Sequence, residues 1–237
     1  MRGLTERAGL VTMVHETTLH ILNGQAMYDF FKRTNFLQGE IMIPFNEAMC
    51  FGDISDKLFT REFVEIRAKV HHVSPEQYTE ITINPIKPLL SKGFTHLELW
   101  FDEDMFCQIN ILTILAWLDK NGHSKPIDLH IVGEKFEPIS KYTLMAAGYY
   151  ELFIDVLIHK TLPKSIHLVP LKKGVELYLT YLNEDSNLTM YIKKHQNMTE
   201  KELVYSLIQN FKEYGLGDVQ YLEIIRAQRS KRLKTSN

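Results

Sequence analysis

Residues 96–118, HLELWFDEDMFCQINILTILAWL, constrain this chain more than any other stretch, because a strand, an acidic turn and a long apolar helix follow one another without a gap. Leu97, Leu99 and Phe101 alternate with His96, Glu98 and Trp100, the period of a strand. Asp102, Glu103 and Asp104 then mark a turn. From Met105 to Leu118 apolar residues cover most of the girth of a helix, which predicts burial on more than one side. Asp102 or Asp104 can cap the free N–H groups of that helix, where the positive end of its dipole also favours an acid. Asp104 and Gln108 share one helical stripe, so both could equally face a ligand above the strand end. The capping and ligand readings both stand on these residues.

The same grammar recurs along the chain. A short apolar segment, Leu19 to Leu22, ends at Asn23-Gly24 and is followed by helical spacing at Ala26, Met27, Phe30 and Phe31. EIMIPF, residues 40–45, reads as a second strand ending at Asn46-Glu47, and Ile127 to Val132 as a further strand ending at Gly133-Glu134. Between them, a helix is expected over about 60–70, and Ser74-Pro75 is a helix entry with a capping serine and a proline at the first helical position. Strands alternating with helices predict an α/β fold, an open, mostly parallel sheet of about four strands with helices on both faces. In such sheets ligands bind beyond the carboxyl ends of the strands, where strand order reverses. Gly24 and Glu47 stand at roughly the 20-residue separation of a glycine turn and a ribose-binding acid. The full glycine fingerprint of a dinucleotide site is absent.

Beyond about Phe136 the alternation gives way to helical patterns without clear strands. Leu144 to His159 is aromatic-rich, Val175 to Leu182 is a further helical piece, and Thr199 to Glu202 forms a capping box opening a helix that Gly215 stops. The expected division is a loose leader over 1–17, an α/β domain over 18–134, and a smaller, mainly helical domain over 135–237. Arg226, Arg229, Lys231 and Arg232 near the end could reach nucleic acid, or form a solvated tail.

Composition narrows the classes. Over 237 residues, 45% hydrophobic and 24% charged, a formal net charge of −2 offers no global attraction to nucleic acid or an anionic membrane. The apolar run 109–118 is far below the roughly 20 residues that span a bilayer, and the first 18 residues contain no secretory apolar core. Two cysteines without a C-x-x-C pair suggest neither a disulfide framework nor a structural zinc site. The expectation is therefore a cytoplasmic protein. Adjacent His71 and His72 would point apart, so no metal centre is expected, and no Walker loop, nucleophile elbow or H-E-x-x-H is present.

HILNG, IMIPFNEAMCFGD and LELWFDEDMFCQINILTILAWL, in that order, resemble the domain-of-unknown-function family 1835, a bacterial group, over roughly residues 18–134. The closing Gly215-Leu216 segment is similar to the helical domain that often follows it. The resemblance implies site positions at Asn23, Gly24, Glu47, Gly52, Trp100, Asp104 and Gln108. It implies no activity, and any cofactor is left unknown. The functional expectation is a small polar ligand, a nucleotide or phosphorylated metabolite, held at the strand ends. Asp104 or Glu47 is then the candidate general base, and Asn23 and Gln108 the orienting groups. The alternative is a regulatory or adaptor protein whose C-terminal helices bind nucleic acid or a protein partner.

Overall fold

The computed structural model describes residues 17–235, with side chains through Lys231. The expected leader, apart from Thr17, and the side chain of Arg232 lie outside the described residues. Five strands form one sheet in the order β2-β1-β3-β4-β5: β1 (Thr18–Leu22), β2 (Ile41–Pro44), β3 (His96–Phe101), β4 (Ile127–Val132) and β5 (Pro138–Leu144). The first four run parallel and β5 is antiparallel to β4. The chain leaves β1 toward β2 on one side and returns to β3 on the other. That reversal sets the topological switch point between the carboxyl ends of β1 and β3.

Period-two alternation sorts the side chains onto two unlike faces. Leu19, Ile21, Leu97, Leu99, Phe101, Ile127, Leu129 and Ile131 belong to the main core. Against them packs α5 (Met105–Lys120), with every residue from Cys107 to Leu118 buried, as its all-round apolar sequence requires. Also in that core are residues of α2 (Arg61–Val70), α3 (Pro75–Tyr78), α4 (Lys87–Leu90), α6 (Tyr149–Phe153) and α7 (Val169–Tyr181). Further members come from α8 (Asn187–Lys194), α9 (Glu200–Asn210) and α10 (Asp218–Thr235). On the opposite face α1 (Gly24–Thr34) covers only the carboxyl half of the strands, through Met27 and Phe31 on Leu22, Trp100 and Val132. The rest of that face carries His20, His96, Glu98 and Asp128, with His130 level with Trp100 in the register.

The expectation of helices without strands after Phe136 does not hold for β5. Its residues are mostly exposed or half-buried, with Pro138 at the first position and Lys141 in the middle, the composition of a protected edge. The expected joint at 134/135 therefore falls inside the β4–β5 hairpin, where the Gly133 N–H donates to the Glu137 carbonyl at 2.9 Å. The residues after it are not packed apart from the sheet helices. Gly174 of α7 lies so close to α5 that a Cβ there would sit 2.5 Å from the Cβ of Gln108. Among the described residues no helix is long and apolar enough to cross a membrane.

Candidate functional site

A cleft of about 310 Å³ opens at the carboxyl ends of β1 and β2, lined by Asn23, Gly24, Phe45, Asn46, Glu47, Ala48, His71 and Phe106. Gly24 turns the chain from β1 into α1 with φ of 76°, in the left-handed region where a side chain would strain the backbone. Asn23 precedes it but does not cap α1. Its Nδ2 donates instead to the Cys107 Sγ at 2.9 Å, across the switch point. The first turn of α1 thus has no side-chain cap, and its positive end borders the cleft.

The floor is a closed polar cluster around Glu47. Asn110, buried within α5, donates from Nδ2 to the Glu47 carbonyl at 2.7 Å and accepts from the Met49 N–H at 3.0 Å, clamping the loop after β2. The Glu47 Oε1 accepts from its neighbour Ala48 N–H, from the Arg67 guanidinium and from the His71 Nε2, each at 2.7 Å. The other oxygen accepts from the Tyr78 hydroxyl. Burial alone would raise the Glu47 pKa, but the Arg67 charge and the His71 and Arg67 hydrogen bonds outweigh it and hold it at about 2. Arg67 is itself fully buried and donates to the carbonyls of Phe51, Asp53 and Ala48 at 2.7, 2.9 and 2.9 Å. Tyr78 ends α3, and a π-helical turn, Thr79–Ile83, follows, a geometry often found beside functional sites. That turn fixes Asn46. Thr82 Oγ1 donates to the Asn46 carbonyl at 2.8 Å, and Asn46 Nδ2 donates to the Ile81 carbonyl at 3.1 Å.

His71 is the member of the cluster that reaches the cleft, its side chain 28% exposed. An ionised carboxylate can only accept, so the bond from Nε2 assigns the proton of the neutral ring to that nitrogen and leaves the lone pair on Nδ1. The pair can therefore transfer a proton at Nδ1, with Glu47 as its anchor. The same contacts bear on the two roles expected of Glu47. Both of its oxygens are engaged within the cluster, and a carboxylate held at about 2 is a weak base near neutrality, so in this arrangement Glu47 orients His71.

Of the expected site positions, Asn23, Gly24 and Glu47 meet at the cleft. The other four do not line it. Asp104 caps α5, accepting from the Cys107 N–H at 2.7 Å, and is covered by Gly215, whose missing Cβ would fall inside the carboxylate. Gln108 donates to the Asp102 carbonyl at 2.6 Å and is enclosed beneath Gly174. Trp100 lies on the other face, stacked on His130 at 3.9 Å. Gly52 packs against Val70, with φ of 73°. Arg67, His71 and Tyr78 were not among the expected positions. Their one sequence signal is that Phe63, Arg67 and His71 recur at helical spacing, placing a charge on the buried stripe of α2.

These features define an α/β protein with a polar cleft at its strand ends and a carboxylate-anchored histidine inside it. The chain matches no family model, no curated protein and no solved structure.

Proposed function

We propose that this protein binds a small anionic metabolite, of the nucleotide or sugar-phosphate class, in the cleft between Asn23-Gly24 and His71. The observation that carries the reading is His71, oriented by Glu47 and facing the same opening as the uncapped first turn of α1. Backbone N–H groups at a helix start favour an anion, and a phosphate group needs such donors more than carboxylates. The cleft volume lies near the lower end of small-molecule sites, which suits a mononucleotide or smaller compound rather than a dinucleotide. The chemistry available there is proton transfer at the His71 Nδ1.

The test is a binding titration of the full chain, by calorimetry and thermal shift, with inorganic phosphate, nucleoside monophosphates and sugar phosphates. At least one should bind, and His71→Gln should weaken it several-fold, because the bond that a ligand hydroxyl donates to the Nδ1 lone pair is lost. No binding across the panel, or binding indifferent to His71→Gln, overturns the proposal. The rival reading, nucleic-acid binding through the C-terminal helix, loses support from the engagement of its cations. Arg226 forks onto Glu200 at 2.9–3.2 Å, Arg229 donates to the Met198 carbonyl at 2.7 Å, and Lys231 pairs with Glu184 at 2.6 Å. A salt-dependent affinity for DNA or RNA that vanishes when residues 230–237 are deleted would favour that rival.

A further inference from the structure

We infer that His96, Glu98 and Asp128 form a binding site for a divalent cation of the zinc type, on the open half of the sheet and at the far end of the strands from the cleft. The parallel register sets Glu98 of β3 directly beside Asp128 of β4, while His96 precedes Glu98 by two residues on the same face. Like charges side by side on a sheet are unfavourable without a cation between them. The donor atoms are already assembled: His96 Nε2 lies 3.2 Å from Asp128 Oδ2 and 3.6 Å from Glu98 Oε1, and the three donors lie within 4.8 Å of one another. Tetrahedral ligands about 2.0–2.2 Å from a zinc ion are separated from each other by roughly 3.3–3.6 Å, close to the two distances given. One imidazole and two carboxylates balance the charge of a divalent ion and leave a fourth position to solvent.

A second, independent observation is the support behind each carboxylate. The oxygen of Asp128 not facing His96 accepts from the Thr143 hydroxyl at 2.7 Å, and the second oxygen of Glu98 faces His130 Nε2 at 3.1 Å; His20 Nδ1, 3.3 Å from the same oxygen, is itself occupied as acceptor of the Trp100 indole N–H at 3.2 Å. Groups of this kind fix the orientation of metal-ligating side chains. Lys141 of β5 places its Nζ 2.9 Å from Asp128 Oδ2, the same oxygen that faces His96, and its side chain is 51% exposed. The lysine holds the place of a cation and is free to swing into solvent when one arrives.

Lys141 makes the proposal separable from a plain ladder of ion pairs. Chelator-stripped protein would be titrated with zinc against a fluorescent chelator, and with cobalt to read the intense visible absorption of tetrahedral coordination. One equivalent should bind. Losing a direct ligand in His96→Ala or Asp128→Asn should weaken binding at least as much as losing a supporting group, about 10–100-fold. Lys141→Met should move affinity the opposite way, tightening it several-fold. That variant guards against misfolding as an explanation, since a damaged fold would not bind more tightly. Absence of stoichiometric zinc binding, binding unchanged in His96→Ala and Asp128→Asn, or weaker binding in Lys141→Met each overturns the inference.

Discussion

Glu47 and Glu98 each sit among histidines, yet they are held in opposite ways. Glu47 is buried, and its side chain accepts four hydrogen bonds, one from a guanidinium that cannot leave. Glu98 is half-buried on an open sheet face, among His20, His96 and His130. Burial pushes the pKa values of His20 and His130 down against the pull of that glutamate, so these partners are weak cations near neutrality. A carboxylate whose counter-charge is built in becomes an anchor for something else; one whose counter-charge is partial retains appetite for a cation. The first arrangement orients His71 at the cleft; the second leaves Glu98 beside Asp128 and His96 on the open sheet face.

The largest test of this contrast is Arg67→Met, which leaves Glu47 buried without its guanidinium and should cost about 3–5 kcal/mol in urea unfolding. The matched change on the open face, Glu98→Gln, should cost about 1 kcal/mol or less and shrink further in high salt. Equal costs would break the comparison.

Acid titration comes next in size. The folded-state pKa of Glu47, about 2, lies below its ordinary value of 4.5, so its contribution is complete above the ordinary value and is lost as pH falls toward 2. The shift corresponds to about 3 kcal/mol. Denaturant midpoints followed downward from neutrality should show the decline, and Glu47→Gln should flatten it.

Asp102 sharpens the picture as an acid with no counter-charge. Burial first, then the neighbouring Asp104, raises its pKa to about 6. The sign is reversed here: the penalty is absent below the ordinary value of 3.8, grows as pH rises, and is complete above about 6. Asp102→Asn should therefore raise the melting temperature at about pH 8 by an amount worth about 1 kcal/mol, screened by partial exposure, and leave it unchanged in acid.

Local periodicity made most of the parallel sheet legible, since alternation at Leu97, Leu99 and Phe101 and the all-round apolar α5 leave little choice of element. Strand β5 escaped because an edge strand is patterned against pairing: Pro138, Ser140 and Lys141 read as loop until β4 is beside them. At the cleft, the turn residues Asn23 and Gly24 were readable from the strand ends. Arg67, His71 and Tyr78 were not, because α2, α3 and the loop after β2 are brought together only by packing. The metal ligands pose the same difficulty in another form. His96 and Glu98 are local, but their pairing with Asp128 depends on a register between strands separated by the whole of α5.

The two glycine contacts on α5 carry a consequence for the order of assembly. Phe106, in the first turn of that helix, forms one wall of the cleft, while Asp104 and Gln108 of the same region are sealed by Gly215 and Gly174, residues that leave the ribosome long after them. Contacts so distant along the chain form late, because a long loop must close before they return any free energy. A chain halted before α7 would therefore carry its strands and α5 without the two contacts that seal Asp104 and Gln108.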